Sequence, residues 1–209
     1  TAGGSSGEDL TFEVSNMTLT RLNRESGELD SSNTTCLSNQ EFSSIYPAME
    51  GDVIKETFAL QNCETGEIVN VREFGSEAQA IWYFATAGWC PACRQRLTYL
   101  FAEIFPMLTE TTVRPMIVVS EDDDYRPATL AFCKRYGERY ADDASHFYLD
   151  ANFTTTFENV WPYLGDDGSF GLPWQGAIEG GTGTYLYGNG GPRSENEDIM
   201  DVINGILGE

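Results

Sequence analysis

Positive charge is scarce in this sequence, and its scarcity limits the partners that the chain can have. Twelve basic residues, of which only Lys55 and Lys134 are lysines, stand against 33 acidic ones in 209 residues. The net charge of −21 would repel a phosphate backbone, so we do not expect nucleic acid among the partners. The acidic residues are spread along the chain, which is typical of a solvated surface in a salty or extracellular setting.

Several other features are missing as well. No run of about 18 or more apolar residues occurs, so the sequence predicts no membrane-spanning helix. No stretch has the pattern of an EF-hand calcium loop. The five cysteines are too few for a disulfide scaffold, and the second close pair of a zinc ribbon is lacking. These absences leave neither a metal site nor a bound cofactor among our expectations.

The composition divides the chain into two parts. Residues 1–52 are rich in Ser, Thr, Asn and Gly and contain one alternating stretch, Leu10 to Leu22, which predicts a strand or a hairpin. The opening "TAGGSSGEDL" is typical of a flexible tether, and we expect it to be able to link the protein to a membrane. We therefore expect a flexible N-terminus with a β-rich extension over 1–52 and one main domain over 53–209.

The main domain alternates strand and helix patterns. Strands are predicted near 57–61, 67–71, 78–86, 115–120, 146–150, 174–178 and 184–187. Helices are predicted after Cys90 up to about Leu108, after Pro127, before Pro162, and at the C-terminus, where Ser194 and Glu197 can form a capping box. This order predicts an α/β sandwich around one mixed sheet.

The segment "FATAGWCPACRQRLTYL", Phe84 to Leu100, places two cysteines between a buried strand and an amphipathic helix. Cys90 would lie at the helix N-terminus, with Pro91 in the first turn, where its missing N–H costs nothing. Free backbone N–H groups and the helix dipole favour the thiolate form of Cys90, and Arg94 adds positive charge. Cys93, one turn later, is close enough to attack a mixed disulfide at Cys90. The spacing thus supplies a nucleophile and its resolving thiol.

With the Trp89-Cys90-x-x-Cys93-Arg94 motif after an aromatic strand, the chain resembles the thioredoxin superfamily, most closely the extracytoplasmic redoxins of TlpA/ResA type. The resemblance covers roughly Val53 to Glu209. It implies a thioredoxin-like three-layer α/β sandwich, with the mixed sheet between helices. It also implies a thiol-disulfide oxidoreductase that acts on protein thiols and disulfides, is served by an upstream redox partner, and works as a monomer.

The stretch "FGLPWQGAI" resembles the segment that carries the family's cis-proline. By this resemblance, the Leu172-Pro173 bond would be cis and would lie against Cys90. Leu172 and Pro173, together with Trp89 and Pro91, would then form the surface on which an extended substrate docks.

One departure from the family pattern and three alternative functions have to be considered. Thioredoxins carry a buried acid where this chain has Phe84, so no proton acceptor for Cys93 is identified. A Sco-like copper chaperone would use two cysteines and a distant histidine, here His146, although its cysteines are spaced differently. The peroxiredoxin signature is absent, with Tyr83 and Ala87 at its Pro and Thr/Ser positions. A non-catalytic interaction module with this fold is the remaining alternative.

The other cysteines give two further expectations. We expect Cys36 and Cys63 to form a structural disulfide between the extension and the main domain, which requires an oxidising compartment. Cys133 falls on the apolar stripe of its helix, which predicts a buried, inert thiol. Together with the redoxin resemblance, these features predict a periplasmic or secreted protein, lipid-anchored if the N-terminus serves as a tether.

Overall fold

A computed structural model describes residues 50–108, 112–160, 171–190 and 196–208, together with the backbone of four N-terminal strands. The chain divides into two compact units, Thr1–Tyr46 and Pro47–Glu209. Among the described residues, no helix is both long and apolar enough to cross a membrane. The predicted capping box at Ser194 lies outside the described residues.

The N-terminal unit consists of paired strands. Strand β1 (Asp9–Val14) pairs antiparallel with β4 (Gln40–Ile45), and β2 (Met17–Leu22) pairs antiparallel with β3 (Leu29–Leu37). The stretch predicted as a strand or hairpin therefore contains two strands that pair elsewhere and not with each other. Cys36 lies in β3.

The larger unit is built on a sheet of seven described strands. They are β5 (Ala59–Asn62), β6 (Ile68–Asn70), β7 (Ala80–Thr86), β8 (Val113–Val119), β9 (Phe147–Leu149), β10 (Trp174–Glu179) and β11 (Tyr185–Gly190). The spatial order is β11-β10-β7-β8-β9-β5-β6. Strands β7, β8 and β9 run parallel, and the other pairs are antiparallel. The mixed sheet predicted from the sequence is confirmed.

Five described helices accompany the sheet: α1 (Val71–Ser76), α2 (Pro91–Tyr99), α3 (Leu130–Gly137), α4 (Thr154–Asn159) and α5 (Asn196–Leu207). Helix α2 does not stay regular up to Leu108 as predicted. It continues as a π-helical turn, Leu100–Ile104, and a 3₁₀ turn, Phe105–Met107, that contains Pro106. A proline inside a helix removes an N–H donor and crowds the preceding turn, which accounts for the change in geometry.

Strand β7 is fully buried, and its side chains point alternately towards two different helical layers. Trp82 and Phe84 pack in one cluster with residues of α2, α3 and α5, whereas Ile81 and Tyr83 pack in a second cluster with Val71 of α1. Successive side chains of a strand point to opposite faces, so the sheet lies between two helical layers. The three-layer α/β fold is thus confirmed.

The cysteine pairing differs from the prediction. Cys63 forms a disulfide with Cys133, with a Cα–Cα distance of 5.7 Å, so the expected Cys36–Cys63 bridge is wrong and Cys133 is not a free thiol. The backbone N–H of Cys63 donates to Phe147 of β9. Helix α3 packs closely against the same strand because Gly137 has no side chain; a methyl group there would lie 2.8 Å from the Phe147 ring. Strand β9 therefore brings the two cysteines together, and both are buried.

Candidate active site

The cysteine pair lies at the junction of β7 and α2. Cys90 is the N-cap of α2 and has an extended backbone, and Pro91 opens the first turn. The backbone N–H of Cys93 donates to Sγ of Cys90 over 3.1 Å. Cys90 and Cys93 are joined by a disulfide, with their Cα atoms 5.3 Å apart. The predicted position of the motif at a helix N-terminus is therefore present in the structure.

The two sulfurs differ in their surroundings. Cys90 is 3% exposed and Cys93 is fully buried behind it. The first turn of α2 has no acidic residue, and Arg94 donates a hydrogen bond to the carbonyl oxygen of Gly88, so its cation lies beside the motif. The helix N-terminus and this guanidinium both favour negative charge on the outer sulfur. Cys90 is the sulfur better placed to exchange with a partner.

A distant segment covers the disulfide. The Leu172-Pro173 peptide bond is cis, as the family resemblance implied, and it directly precedes β10. Strand β10 pairs with β7, the strand that leads into the motif. Leu172 packs against the apolar cluster that contains both Cys90 and Cys93. Residues about 80 positions apart in sequence thus form one surface around the disulfide.

The position that corresponds to a buried acid in thioredoxins is apolar here. Phe84 is fully buried in the core between the sheet and α2. Nearby, the hydroxyls of Thr86 and Tyr136 are 3.0 Å apart, and burial raises the pKa of Tyr136 far above its ordinary value. Tyr136 is therefore a neutral phenol. Neither residue offers a charged proton acceptor for Cys93.

A carboxylate does approach the motif from β8. Glu121 follows the end of this strand, and its Oε2 accepts a hydrogen bond of 2.6 Å from Nε1 of Trp89. The Trp89 ring also stacks on Tyr125, with ring centroids 4.8 Å apart and the planes inclined by 16°. Because β7 and β8 are parallel, the residues that follow them meet at one edge of the sheet. Trp89 is therefore held on both its polar edge and its face.

The loop that carries Tyr125 is organised by Asp122. One carboxylate oxygen of Asp122 accepts hydrogen bonds from the backbone N–H groups of Asp124 and Arg126, over 2.8 and 3.0 Å. The backbone N–H of Arg126, followed by that of Asp124 and the charge of Arg126, lowers the pKa of Asp122 below its ordinary value. A carboxyl group with a lowered pKa stabilises the folded loop while it is ionised. This stabilisation is lost as the pH falls through the lowered pKa.

An open pocket of about 200 Å³ lies beside the disulfide. It is lined by Trp89, Glu121, Asn152, Phe153, Phe157 and Leu172. Asn152 and Phe153 have φ values of 60° and 55°, and Tyr125 has 62°. Within the described part of the chain, these three are the residues other than glycine with positive φ. Such backbone is strained, and here it is concentrated around one cleft, as is common at functional sites.

His146, the histidine of the copper-chaperone alternative, does not lie at the sheet edge that carries the cysteine pair. His146 precedes β9, and the next residue, Phe147, pairs with Ile117 in the middle of β8. The cysteines instead follow Thr86, which pairs with the last residue of β8. No group of three His, Cys, Asp or Glu side chains in the described regions is arranged to hold a metal ion. The geometry therefore gives the copper alternative no support.

Gly88 makes the approach of these segments possible, and replacing it tests their packing. A methyl group there would lie 2.6 Å from the Phe132 ring and 2.8 Å from backbone atoms of Asp122 and Asp123. We expect Gly88→Ala to lower the free energy of unfolding by about 1–3 kcal/mol, because the added methyl group would overpack the core. Gly181→Ala is the matched control, because its methyl would meet nothing within 4 Å. Equal denaturant midpoints for the two variants would contradict this account.

Comparison with known proteins supports the fold but does not identify the activity. No protein-family description and no curated protein matches the sequence. The solved structures that are similar to this chain include the following three. One, from Chlorobium tepidum, carries a provisional assignment as thiol:disulfide interchange protein DsbE (17% identity, 77% of this chain and 96% of that one, TM-score 0.51). Another, from Bacteroides thetaiotaomicron, is provisionally assigned as a protein disulfide isomerase (16% identity, 77% of this chain and 89% of that one, TM-score 0.50). The third is a yeast mitochondrial 1-Cys peroxiredoxin (11% identity, 77% of this chain and 75% of that one, TM-score 0.50).

These likenesses confirm that the larger unit has a thioredoxin-like fold, as the resemblance of the motif implied. The same fold occurs in a peroxiredoxin, so the fold does not decide the chemistry. The activity has to be argued from the residues of the site.

Four of the residues that line the pocket were not singled out from the sequence: Glu121, Asn152, Phe153 and Phe157. Glu121 carries a usable signal, because it directly follows a predicted buried strand and the carboxyl ends of parallel strands meet at one edge. Asn152 also follows a strand, and asparagine tolerates positive φ. The two phenylalanines carry no comparable signal, since an aromatic residue in a short helical pattern normally packs in the core.

Proposed function

We propose that the chain is a thiol-disulfide oxidoreductase that exchanges disulfides with protein substrates through Cys90 and Cys93. One observation carries the proposal. The Cys90–Cys93 disulfide lies at the N-terminus of α2 and against Leu172 of the cis Leu172-Pro173 segment. This arrangement combines a sulfur placed for attack, a resolving sulfur one turn away, and a backbone segment beside both.

The chemistry of the oxidised form can be written with its atoms and electrons balanced. A thiolate of the client protein attacks Sγ of Cys90, the Cys90–Cys93 bond breaks, and Cys93 leaves as a thiolate. A second client thiolate then attacks the client sulfur of the mixed disulfide and releases the thiolate of Cys90. Two electrons pass from the client to the chain, and the client gains the disulfide. The reverse sequence, which starts from the thiolate of Cys90, reduces a client disulfide.

Local geometry supports the roles of the two cysteines. A thiolate at Cys90 would accept the hydrogen bond that the backbone N–H of Cys93 donates and would lie at the positive end of α2. Cys93, which is fully buried and bonded to the sulfur of Cys90, is shielded from a client. Trp89 and Leu172 pack against this pair, and together with Pro91 and Pro173 they would form the docking surface for the client.

The second disulfide supports a location outside the cytoplasm. Buried structural disulfides such as Cys63–Cys133 form and persist in oxidising compartments. We infer a periplasmic or secreted protein of the TlpA-like kind, whose Cys90–Cys93 pair is returned to its starting state by an upstream redox partner. The large excess of acidic residues fits a protein that is soluble in such a setting.

Turnover measurements test the proposal. The purified chain is expected to catalyse disulfide exchange in a protein substrate in the presence of a glutathione buffer, and the Cys90→Ala/Cys93→Ala double variant is expected to show only the uncatalysed rate. Cys36→Ala is the control, because Cys36 lies in the N-terminal unit and belongs to neither disulfide of the larger unit. A double variant that keeps the full catalysed rate would rule out the proposed function.

A further inference from the structure

The pocket beside the disulfide has the size of one side chain. Its volume is about 200 Å³, whereas pockets for cofactors and small molecules usually span about 300–1,000 Å³. An apolar cavity of about 150 Å³ already accommodates benzene. The pocket can therefore take a leucine, methionine or phenylalanine side chain, and a larger ligand would not be enclosed.

The pocket and the disulfide share two walls. Trp89 and Leu172 line the pocket, and both also pack against the cluster that contains Cys90 and Cys93. A client chain whose cysteine reaches Cys90 therefore passes the mouth of the pocket within a residue or two. A side chain next to the client cysteine is the group in reach of this space.

We propose that this pocket binds an apolar side chain adjacent to the reacting cysteine of the client, and that Glu121 at its rim binds a lysine or arginine beside it. The inference rests on the proposed function and adds to it the class of client sequence. It assigns Glu121, Phe153 and Phe157 to substrate recognition.

The apolar part of the pocket is preformed. The rings of Phe153 and Phe157 meet edge to face, with centroids 6.0 Å apart. Their segment is held by the carboxylate of buried Asp150, which accepts hydrogen bonds from the backbone N–H groups of Thr155 and Thr156 over 3.1 and 2.6 Å. A rigid, apolar wall binds a side chain without first having to order itself, which favours affinity.

The rim of the pocket is negative. Glu121 uses one carboxylate oxygen for Trp89, and a carboxylate has further lone pairs for a second donor. Among the ion pairs of the described residues, Arg126 is paired with Asp122 and Asp124, and none involves Glu121. A cation on the client would therefore meet an available carboxylate, and complementary charge favours encounter and register. The same cation would favour the thiolate of the client cysteine, which is the attacking form.

Matched peptides test this inference. The peptides contain a reduced Cys-x-x-Cys motif and differ only in the residues beside the first cysteine, with Leu or Ser on one side and Lys or Glu on the other. The oxidised protein is mixed with each peptide, and the rate of peptide oxidation is measured. For each peptide, the second-order rate constant with the protein is divided by the rate constant of the same peptide with a small disulfide. This ratio removes differences between the peptides in the fraction of cysteine present as thiolate. We expect leucine to exceed serine about tenfold, which is the order of magnitude for burial of one such side chain. Lysine is expected to exceed glutamate at the neighbouring position.

Two variants assign these preferences to the pocket. Phe157→Trp fills it and is expected to reduce the leucine-to-serine ratio towards one. Phe74→Trp is the matched control, because Phe74 is half-buried in the same core cluster but does not line the pocket, and it should keep the ratio. Glu121→Gln retains an acceptor for Trp89 and is expected to lose the preference for lysine while the preference for leucine remains.

The outcomes separate this inference from the proposed function. Exchange with all peptides at equal normalised rates would overturn the inference and leave the oxidoreductase proposal standing. Preferences that survive in both Phe157→Trp and Glu121→Gln would also overturn it, because they would arise elsewhere on the surface. No exchange with any peptide would overturn the proposed function and this inference with it.

Discussion

Replacing Cys63 and Cys133 together with alanine is expected to lower the free energy of unfolding by about 4 kcal/mol. The disulfide joins residues separated by 70 positions, and a cross-link of this length removes much of the conformational freedom of the unfolded chain. It also ties β5 to α3 across β9, a connection that the backbone makes only over a long path. The midpoint and slope of urea unfolding measure the change.

The ion pair next to this disulfide provides the control. Nζ of Lys134 lies 2.6 Å from a carboxylate oxygen of Glu64, so the pair joins the same two segments as Cys63 and Cys133. The hydrogen bond from Lys134 lowers the pKa of Glu64 below its ordinary value. Both side chains are partly exposed, and exposed ion pairs contribute little to stability. We expect Lys134→Gln to shift the midpoint far less than removal of the disulfide does, and equal shifts would contradict the structural role of the disulfide.

Single replacements at the catalytic pair are expected to have opposite effects on the trapping of substrates. Cys93→Ala should accumulate mixed disulfides between Cys90 and client proteins, because the sulfur that resolves them is gone. Cys90→Ala should accumulate none, since the remaining Cys93 is fully buried and is not the N-cap of α2. Non-reducing electrophoresis of the variants, followed by identification of the cross-linked cysteine, gives the result.

The trapping experiment has an internal control in the other disulfide. Cys63 and Cys133 remain paired in both variants, so any cross-link through them would reveal loss of structure and not catalysis. The double variant Cys90→Ala/Cys93→Ala should trap nothing. Equal trapping by Cys90→Ala and Cys93→Ala would contradict the roles given to the two sulfurs.

Local sequence patterns predicted the elements that place the site. The apolar run at Ala78 to Thr86 predicted the central strand, and the Cys-Pro-x-Cys spacing predicted a helix that starts at the first cysteine. Both are confirmed, because strand burial and helix capping depend on residues that are close in sequence. Pro173 was placed near the cysteines through a resemblance to a family, and the structure shows its segment there.

Long-range packing limited the rest of the prediction. The partner of Cys63 depends on the register of β5 against β9 and on the fit of α3 over Phe147, which no local pattern encodes. The pocket depends on two residues, Asn152 and Phe153, with positive φ. Asparagine often adopts this conformation, but phenylalanine rarely does, and surrounding structure has to hold it there. The pairing of β1 with β4 likewise joins strands that are distant in sequence.

The central claim is that Cys90 and Cys93 are the redox-active pair and that Cys63 and Cys133 are structural. Cys133 makes an ordinary intrahelical hydrogen bond through its N–H, whereas Cys90 lies at a helix N-terminus that stabilises the reduced thiolate. The most direct test equilibrates the protein in graded glutathione buffers and maps alkylated cysteines by mass spectrometry. Cys90 and Cys93 should interconvert between disulfide and dithiol while Cys63–Cys133 stays oxidised. Reduction of Cys63–Cys133 before Cys90–Cys93, or a Cys90–Cys93 disulfide that never opens, would contradict the account.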